Sequence, residues 1–311
     1  MLDSKLKVIF IAGLGHSGTT LLGRTLGELD GFSFVGELFA LPGRALIRSK
    51  QCGCGSPLRD CEIWLKVFET AFGGMDRIDP VAWHHLRRDV RIRRLVHLLR
   101  PGGRRTLARR WSELSRGMEQ LYAAIGRVTS NTVIVDSSKF PLCAYIASEI
   151  PSVDLYVVHL VRHPLASVYS WIRRKARRTG GNSGTHDHVR AASFSLEWLH
   201  WHALSEILLR RRPGRYVRMR YEDFVEDPAA SIETILRLVG ERGGERLPVR
   251  QGQVELTAGH SGPGNAARFQ RGWVSLRVDD EWRSRMARLD RTIVALLSWP
   301  LRLRYGYRRA G

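Results

Sequence analysis

The sequence predicts an α/β fold: a parallel, doubly wound sheet of four to five strands that carries a mostly helical insertion. Short runs rich in Val, Ile and Phe alternate with segments whose apolar residues recur at helical spacing, a pattern typical of strands joined by helical crossovers. The first run ends in a glycine-rich turn that leads directly into a helical segment. With 311 residues, no internal repeat and no convincing linker, the chain suits a single domain over residues 1–311.

Five short runs are the predicted strands, and the first, rich in Val, Ile and Phe, suits a central parallel strand buried on both faces. They cover residues 7–12, 32–35, 132–135, 155–161 and 216–220. Helical spacing covers residues 19–29, 140–150, 165–177 and 194–211, and a further helix is expected after Pro228. Residues from about 60 to 127 are mostly helical in pattern. They form the predicted insertion, which we expect to cap one face of the sheet.

The charge is strongly one-sided. The formal net charge is +20, from 50 basic and 30 acidic residues, and the basic residues are densest at 87–110 and 173–178. Such a charge attracts anionic partners, either a polyanionic nucleotide in a pocket or an anionic surface facing the arginine-rich helices. The basic blocks lack the regular aromatic interleaving of single-strand binding proteins, so no specific nucleic acid is expected. No apolar run approaches the roughly 18 residues of a membrane span, so a cytoplasmic location is expected.

Three of the four cysteines are close in sequence: Cys52, Cys54 and Cys61. Their spacing resembles half of a zinc site or a local disulfide. No fourth ligand lies nearby in the sequence, and a cytoplasmic chain keeps its thiols reduced. We therefore expect free or conditionally paired thiols on a loop near the substrate, and no metal, although both alternatives stay open.

The segment Gly13-Leu-Gly-His-Ser-Gly-Thr-Thr20 lies between a predicted strand and a predicted helix. In that position successive backbone N–H groups and the helix N-terminus converge on an anion, so the sequence predicts a phosphate loop after the first strand. Gly13 and Gly18 have the spacing of a Walker A loop, but Thr19 stands where a nucleotide triphosphatase carries lysine. A donor with fewer charges at its reacting end suits this loop better than ATP.

A second motif follows the fourth predicted strand. That strand ends at Arg162, and Ser170 lies eight residues later, about two turns into the next predicted helix. The arginine supplies charge and the serine a hydroxyl donor, so the two side chains can hold one phosphate together.

Together the two motifs resemble the sulfotransferases that use 3′-phosphoadenylyl sulfate (PAPS). In that family the first loop holds the 5′-phosphosulfate and the second motif the 3′-phosphate. The resemblance extends over residues 7–271, and Gly264-Asn-Ala-Ala-Arg268-Phe is similar to the late loop that covers the nucleotide in bacterial members. It implies a sulfotransferase that moves a sulfuryl group from PAPS to a hydroxyl of a carbohydrate, lipid or natural-product alcohol or phenol, and releases adenosine 3′,5′-bisphosphate.

The resemblance also implies roles for individual residues, without a metal. The 5′-phosphate would be held by Gly15, His16, Ser17, Gly18, Thr19 and Thr20, and the 3′-phosphate by Arg162, Ser170 and Arg268. His16 and Lys139 would neutralise the leaving phosphate. Cytosolic members that use a catalytic histidine carry it after the third strand, where this chain has residues 136–139 without a histidine. Glu37 follows Gly36, as in carboxylate-using members such as the tyrosylprotein sulfotransferases, and is the candidate base.

Each role has a structural alternative. Glu37 could cap a helix starting near Leu38, Lys139 could be a surface residue, and His16 could bond only within its loop. Arg271 could take the role of Arg268. The alternative function is a phosphate-loop kinase or nucleotide triphosphatase, with residues 133–136 as a Walker B strand. A non-enzymatic alternative is a polyanion-binding protein.

Overall fold

Five parallel strands form the central sheet, in the order β2-β3-β1-β4-β5. They are β1 (Leu6–Ala12), β2 (Phe32–Gly36), β3 (Val133–Lys139), β4 (Val153–Val161) and β5 (Tyr216–Arg220). The computed structural model describes residues 5–91, 94, 97, 101–178, 187–210, 214–244 and 247–307. The predicted fold class is confirmed. Strand β3 continues to Lys139, four residues beyond the predicted end, and this extension brings Lys139 to the edge of the sheet.

Twelve helices surround the sheet in the described part of the chain. They are α1 (Thr19–Gly27), α2 (Glu62–Phe72), α3 (Pro80–Asp89), α4 (Gly103–Arg110), α5 (Ser112–Thr129), α6 (Pro141–Ser148), α7 (Pro164–Arg178), α8 (Asp187–Leu209), α9 (Tyr221–Glu226), α10 (Pro228–Val239), α11 (Glu281–Arg285) and α12 (Arg288–Arg304). Of the basic block at 87–110, residues 92, 93, 95, 96 and 98–100 lie outside the described residues. None of the helices that the structure describes is long and apolar enough to cross a membrane.

Both faces of the sheet are covered, as the alternation along β1 shows. Val8 and Phe10 pack in one cluster with the buried residues of α2, α5 and α6. Ile9 and Ile11 point to the opposite face and pack against α1 and α10. Successive side chains of a strand point to opposite faces, so a strand apolar at every position is buried on both. The helices of residues 62–129 cover the face that carries Val8.

A second, small sheet lies late in the chain, and the sequence did not predict it. It is antiparallel, in the order β6 (Val249–Arg250), β7 (Gln253–Leu256) and β8 (Gly272–Ser275). No strand here exceeds four residues, so an alternating pattern is too short to recognise. Val254 and Leu256 anchor the sheet in the same apolar cluster as α1.

Candidate active site

The carboxyl ends of four parallel strands meet at one edge of the sheet. There β1 leads into loop 13–18, β2 into Glu37, β3 ends at Lys139, and β4 is followed by Arg162. The chain moves from β1 to one side of the sheet and later crosses to β4 on the other side. Ligands of open parallel sheets bind at such a switch point.

Gly18 shapes the start of α1. Its φ of 83° is left-handed, and a Cβ at this position would lie 2.3 Å from the ring of Tyr221, so only glycine fits. Ser17, Thr19 and Thr20 are buried beside it. The Ser17 hydroxyl has no hydrogen-bond partner among the described residues. The loop therefore offers a helix N-terminus and hydroxyl donors, the elements that bind a phosphate.

The two sequence motifs meet at His16. Arg162 donates from Nη1 to the His16 carbonyl at 2.9 Å, and the Ser170 hydroxyl lies 3.3 Å from Nδ1 of the His16 ring. His16 has a left-handed φ of 70°, a conformation that is uncommon for non-glycine residues. His16 thus bonds outside its own loop.

Arg162 makes two further side-chain contacts in addition to the one with the phosphate loop. Its side chain is 9% exposed, lies over the ring of Tyr221 at 5.1 Å, and has the Asp279 carboxylate 3.5 Å away. Asp279 also pairs with Arg173 at 3.2 Å. A phosphate bound here would share Arg162 with the Asp279 carboxylate. No sequence pattern had singled out Asp279.

Glu37 is held between two cations. Its Oε1 lies 2.5 Å from Lys139 Nζ, and its Oε2 lies 3.3 Å from Arg44 Nη2. The side chains of Glu37 and Lys139 are only 19% and 16% exposed. Lys139 has a left-handed φ of 68° at the end of β3. The surface-residue alternative for Lys139 does not fit this arrangement.

The capping alternative for Glu37 does not fit either. Glu37 precedes the short 3₁₀ turn Leu38–Ala40, but its side chain makes no capping hydrogen bond. Its backbone N–H donates instead to the Pro263 carbonyl at 3.0 Å. Arg44 belongs to the following π-helical turn, Leu41–Ala45, and only the folded chain identifies it as a partner of Glu37.

The segment 257–271 lies across the ends of β2 and α1. Arg24 of α1 is buried and donates to the carbonyls of Ala267, Gln270 and Thr257 at 2.9, 2.5 and 2.6 Å. Arg268 is 9% exposed and donates to the Gly264 carbonyl at 3.0 Å. It also donates to the Gln51 carbonyl at 3.4 Å.

Two cavities adjoin at the predicted catalytic residues. One, of about 430 Å³, is lined mostly by aromatic and basic side chains, among them Phe39, Trp83, Arg87, Phe140, Trp171 and Trp201. The other, of about 310 Å³, lies against segment 257–271 and is strongly basic, with Arg48, Lys50, Arg174 and Arg268 in its wall. Gly15, His16, Glu37, Arg44 and Lys139 line both. A reaction between two ligands, one in each cavity, would therefore take place beside these residues.

The profile of the Sulfotransferase family matches residues 8–242, three quarters of the chain. The chain belongs to the sulfotransferase family. No curated protein matches it. Among solved structures, it is similar to the sulfotransferase domain of the Synechococcus PCC 7002 olefin synthase, with 19% identity, a TM-score of 0.54, and coverage of 96% of this chain and 95% of that one. The sulfotransferase domain from the curacin biosynthetic pathway gives 17% identity, a TM-score of 0.48, and coverage of 95% and 99%.

Asp136 of this sulfotransferase lies in β3 and anchors a hydrogen-bond network next to the site. It is fully buried, accepts from Tyr122 Oη at 2.7 Å and from Ser138 Oγ at 2.6 Å, and burial raises its pKa to about 6. Ser138 Oγ in turn accepts from the backbone N–H of Phe39 at 3.1 Å. This network ties the end of β3 to the turn after Glu37.

Two histidines of the sulfotransferase have a structural role in the core. Nε2 of His159 lies 2.7 Å from Nδ1 of His202 in the core, and burial lowers the pKa of each.

A further histidine, His260, lies beside Cys61, although no sequence pattern links the two. Its Nδ1 is 3.3 Å from the Cys61 sulfur. The sequence indicates no fourth ligand for the cysteines, but folding brings this one to them.

Proposed function

We propose that the protein transfers a sulfuryl group from PAPS to a hydroxyl of a carbohydrate, lipid or natural-product alcohol or phenol, releasing adenosine 3′,5′-bisphosphate. The observation that carries the proposal is the meeting of a basic and an aromatic cavity at Glu37, Lys139 and His16. Sulfuryl transfer requires an anionic donor and a neutral hydroxyl to meet in line. A base must take the proton of the hydroxyl, and cations must neutralise the leaving phosphate. The family membership supports sulfotransfer as the reaction class.

The phosphate loop and Arg162 would bind the donor. The N-terminus of α1 and the hydroxyls of Thr19 and Thr20 suit the 5′-phosphate. Arg162 and Ser170, which both lie at His16, suit the 3′-phosphate. The donor supplies the activated sulfuryl group. These residues would hold the donor in place with its sulfur toward the aromatic cavity, where the acceptor would bind.

Glu37 would take the proton of the acceptor hydroxyl. As the acceptor oxygen bonds to sulfur, the bond from sulfur to the bridging phosphate oxygen breaks, and its electron pair leaves with the bisphosphate. Lys139 and His16 would neutralise the charge that builds on that oxygen. Lys139 lies 2.5 Å from Glu37, so the proposed base and one of the proposed cations are neighbours in the site.

The kinase alternative has less support. A Walker B aspartate must reach Mg²⁺ and its waters, whereas Asp136 is fully buried and both its oxygens accept bonds from Tyr122 and Ser138. Thr19 stands in place of the Walker lysine.

Calorimetry separates the two functions. We expect adenosine 3′,5′-bisphosphate to bind without metal, and ATP with Mg²⁺ to bind much more weakly. Labelled PAPS incubated with a panel of sugar, phenol and lipid hydroxyls then reports transfer directly. Tight binding of ATP only when Mg²⁺ is present, with no bisphosphate binding, would contradict the proposal.

A further inference from the structure

Three cysteines and one histidine meet at the edge of segment 257–271. The ligand atoms of Cys52, Cys54, Cys61 and His260 all lie within 4.8 Å of one another. The sulfur of Cys61 is 3.6 Å from that of Cys52, 4.0 Å from that of Cys54, and 3.3 Å from Nδ1 of His260. Cys52 and Cys61 are buried, whereas His260 is exposed.

The three separations from the Cys61 sulfur agree with those of a tetrahedral metal site. With Zn–S bonds of about 2.3 Å and Zn–N bonds of about 2.0 Å, two sulfurs of a tetrahedron lie about 3.8 Å apart, and a sulfur and a nitrogen about 3.5 Å apart. The observed distances of 3.6, 4.0 and 3.3 Å match within a few tenths of an ångström. Thiolate and imidazole ligands select zinc over magnesium or calcium, which prefer oxygen.

Backbone N–H groups surround the three sulfurs. Those of Cys54, Ser56, Ile63 and Trp64 lie near them: the first beside the Cys52 sulfur, the second beside the Cys54 sulfur, and the last two beside the Cys61 sulfur. Such outer N–H groups orient the first ligands of a metal site.

Two distant segments supply the ligands. Cys52 and Cys54 belong to a tight hairpin, closed by a bond from Cys52 N–H to the Ser56 carbonyl at 2.8 Å. Cys61 directly precedes α2. The hairpin touches the late segment again through Gly53, whose N–H donates to the Ser261 carbonyl at 2.9 Å.

We propose that Cys52, Cys54, Cys61 and His260 bind one Zn²⁺ ion as a closed structural site that fastens segment 257–271 to the hairpin. All four positions of the tetrahedron are protein ligands, so the ion is structural and takes no part in transfer. Two arginines of the same segment reinforce the junction. Arg268 donates to the Gln51 carbonyl at 3.4 Å, and Arg271 to the Cys54 carbonyl at 2.9 Å.

Elemental analysis of the full chain, purified without chelator, tests the site directly and independently of sulfotransfer. We expect one zinc per chain in the wild type. Cys143→Ser is the matched control, because Cys143 is buried in α6, outside the cluster. It should keep the zinc, whereas Cys61→Ser should lose it. His260→Ala alters an exposed ligand and should fold, with zinc affinity lowered by at least about 10–100-fold.

Cobalt substitution gives a second readout. Co²⁺ in the wild type should show the sulfur-to-metal charge-transfer bands and intense visible bands of a tetrahedral thiolate site, and His260→Cys should retain metal and shift those bands. Zinc retained equally by Cys61→Ser and wild type would overturn the proposal. So would a Cys52–Cys61 disulfide, detected by mass spectrometry of protein purified under reducing conditions, or a metal-free wild type that does not take up added zinc.

Discussion

The two sides of the candidate site are held by different kinds of contact. On the strand side, Glu37 follows β2 and Lys139 ends β3, and β3 pairs in parallel with both β2 and β1. On the loop side, segment 257–271 has backbone bonds at Ser261–Pro263, and its two ends depend on the Arg24 side chain, which donates to the carbonyls of Thr257, Ala267 and Gln270.

Because of this difference, we expect the strand side to govern the chemical step and the loop side to govern binding of the donor. Main-chain ladders are shared among many residues, so one substitution at a strand end changes the reacting group and leaves its neighbours in place. Side-chain bonds to a loop depend on single residues, so one substitution can release the loop. We therefore expect strand-side changes to act on kcat and loop-side changes to act on the KM of the donor.

The largest effect is expected for Glu37→Gln. The amide keeps the shape of the side chain but cannot accept the acceptor proton, so kcat should fall by roughly 100-fold or more, with bisphosphate affinity nearly unchanged. Steady-state kinetics and calorimetry measure both. Glu226→Gln, at an exposed glutamate ending α9, is the control and should behave as wild type. If Glu37 serves only its ion pair with Lys139, the variant would show normal turnover and a lowered Tm.

Arg24→Ala should give the next largest effect, and this effect is on the loop side of the site. Three carbonyls of segment 257–271 lose a charged donor, and such bonds are worth about 1.5–3 kcal/mol each. We expect the KM of the donor to rise by about tenfold or more, and limited proteolysis within 257–271 to accelerate.

The control for Arg24 is Arg237→Ala, because Arg237 is exposed and its bonds among the described residues stay within α10, to Glu233 and Thr234. It should change neither measurement. An Arg24→Ala enzyme with wild-type donor KM and wild-type proteolysis would show that the backbone bonds alone hold the segment.

The same division explains what the sequence could predict. Strand-side features are local in sequence: an apolar run, a glycine-rich turn, and a polar residue at a strand end. The phosphate loop and Arg162 were therefore identified as candidates from short patterns, and Glu37 from the resemblance to carboxylate-using sulfotransferases. The fold class was predicted correctly.

Contacts between distant residues could not be predicted. The pair Lys139–Glu37 joins residues 102 apart, and Arg24 reaches carbonyls more than 230 residues away. Carbonyls carry no sequence signal, because every residue has one. His260 follows no spacing rule relative to Cys61, 199 residues earlier. Only the spacing of the three cysteines hinted that a fourth ligand should be sought.

Arg162→Ala should have an intermediate effect, because this side chain supports the phosphate loop as well as the proposed 3′-phosphate site. Adenosine 3′,5′-bisphosphate should lose about tenfold more affinity than adenosine 5′-phosphate, measured by calorimetry. Arg173→Ala is the control, because Arg173 shares Asp279 with Arg162. It should weaken both nucleotides little and alike. Equal losses for the two nucleotides in Arg162→Ala would restrict its role to the His16 carbonyl.

The smallest effect is expected for Arg271→Ala. Its comparison with Arg268→Ala distinguishes two arginines of the loop side. Arg271 is exposed and donates one bond, to the Cys54 carbonyl at 2.9 Å, whereas Arg268 is 9% exposed and lies in the wall of the basic cavity. Water can replace an exposed donor, so Arg271→Ala should raise the donor KM by less than about threefold, and Arg268→Ala by about tenfold or more. Parallel donor titrations of the two variants measure the contrast. If Arg271→Ala proves the more damaging, the nucleotide contact belongs to Arg271, and Arg268 serves only to fold the turn at Gly264.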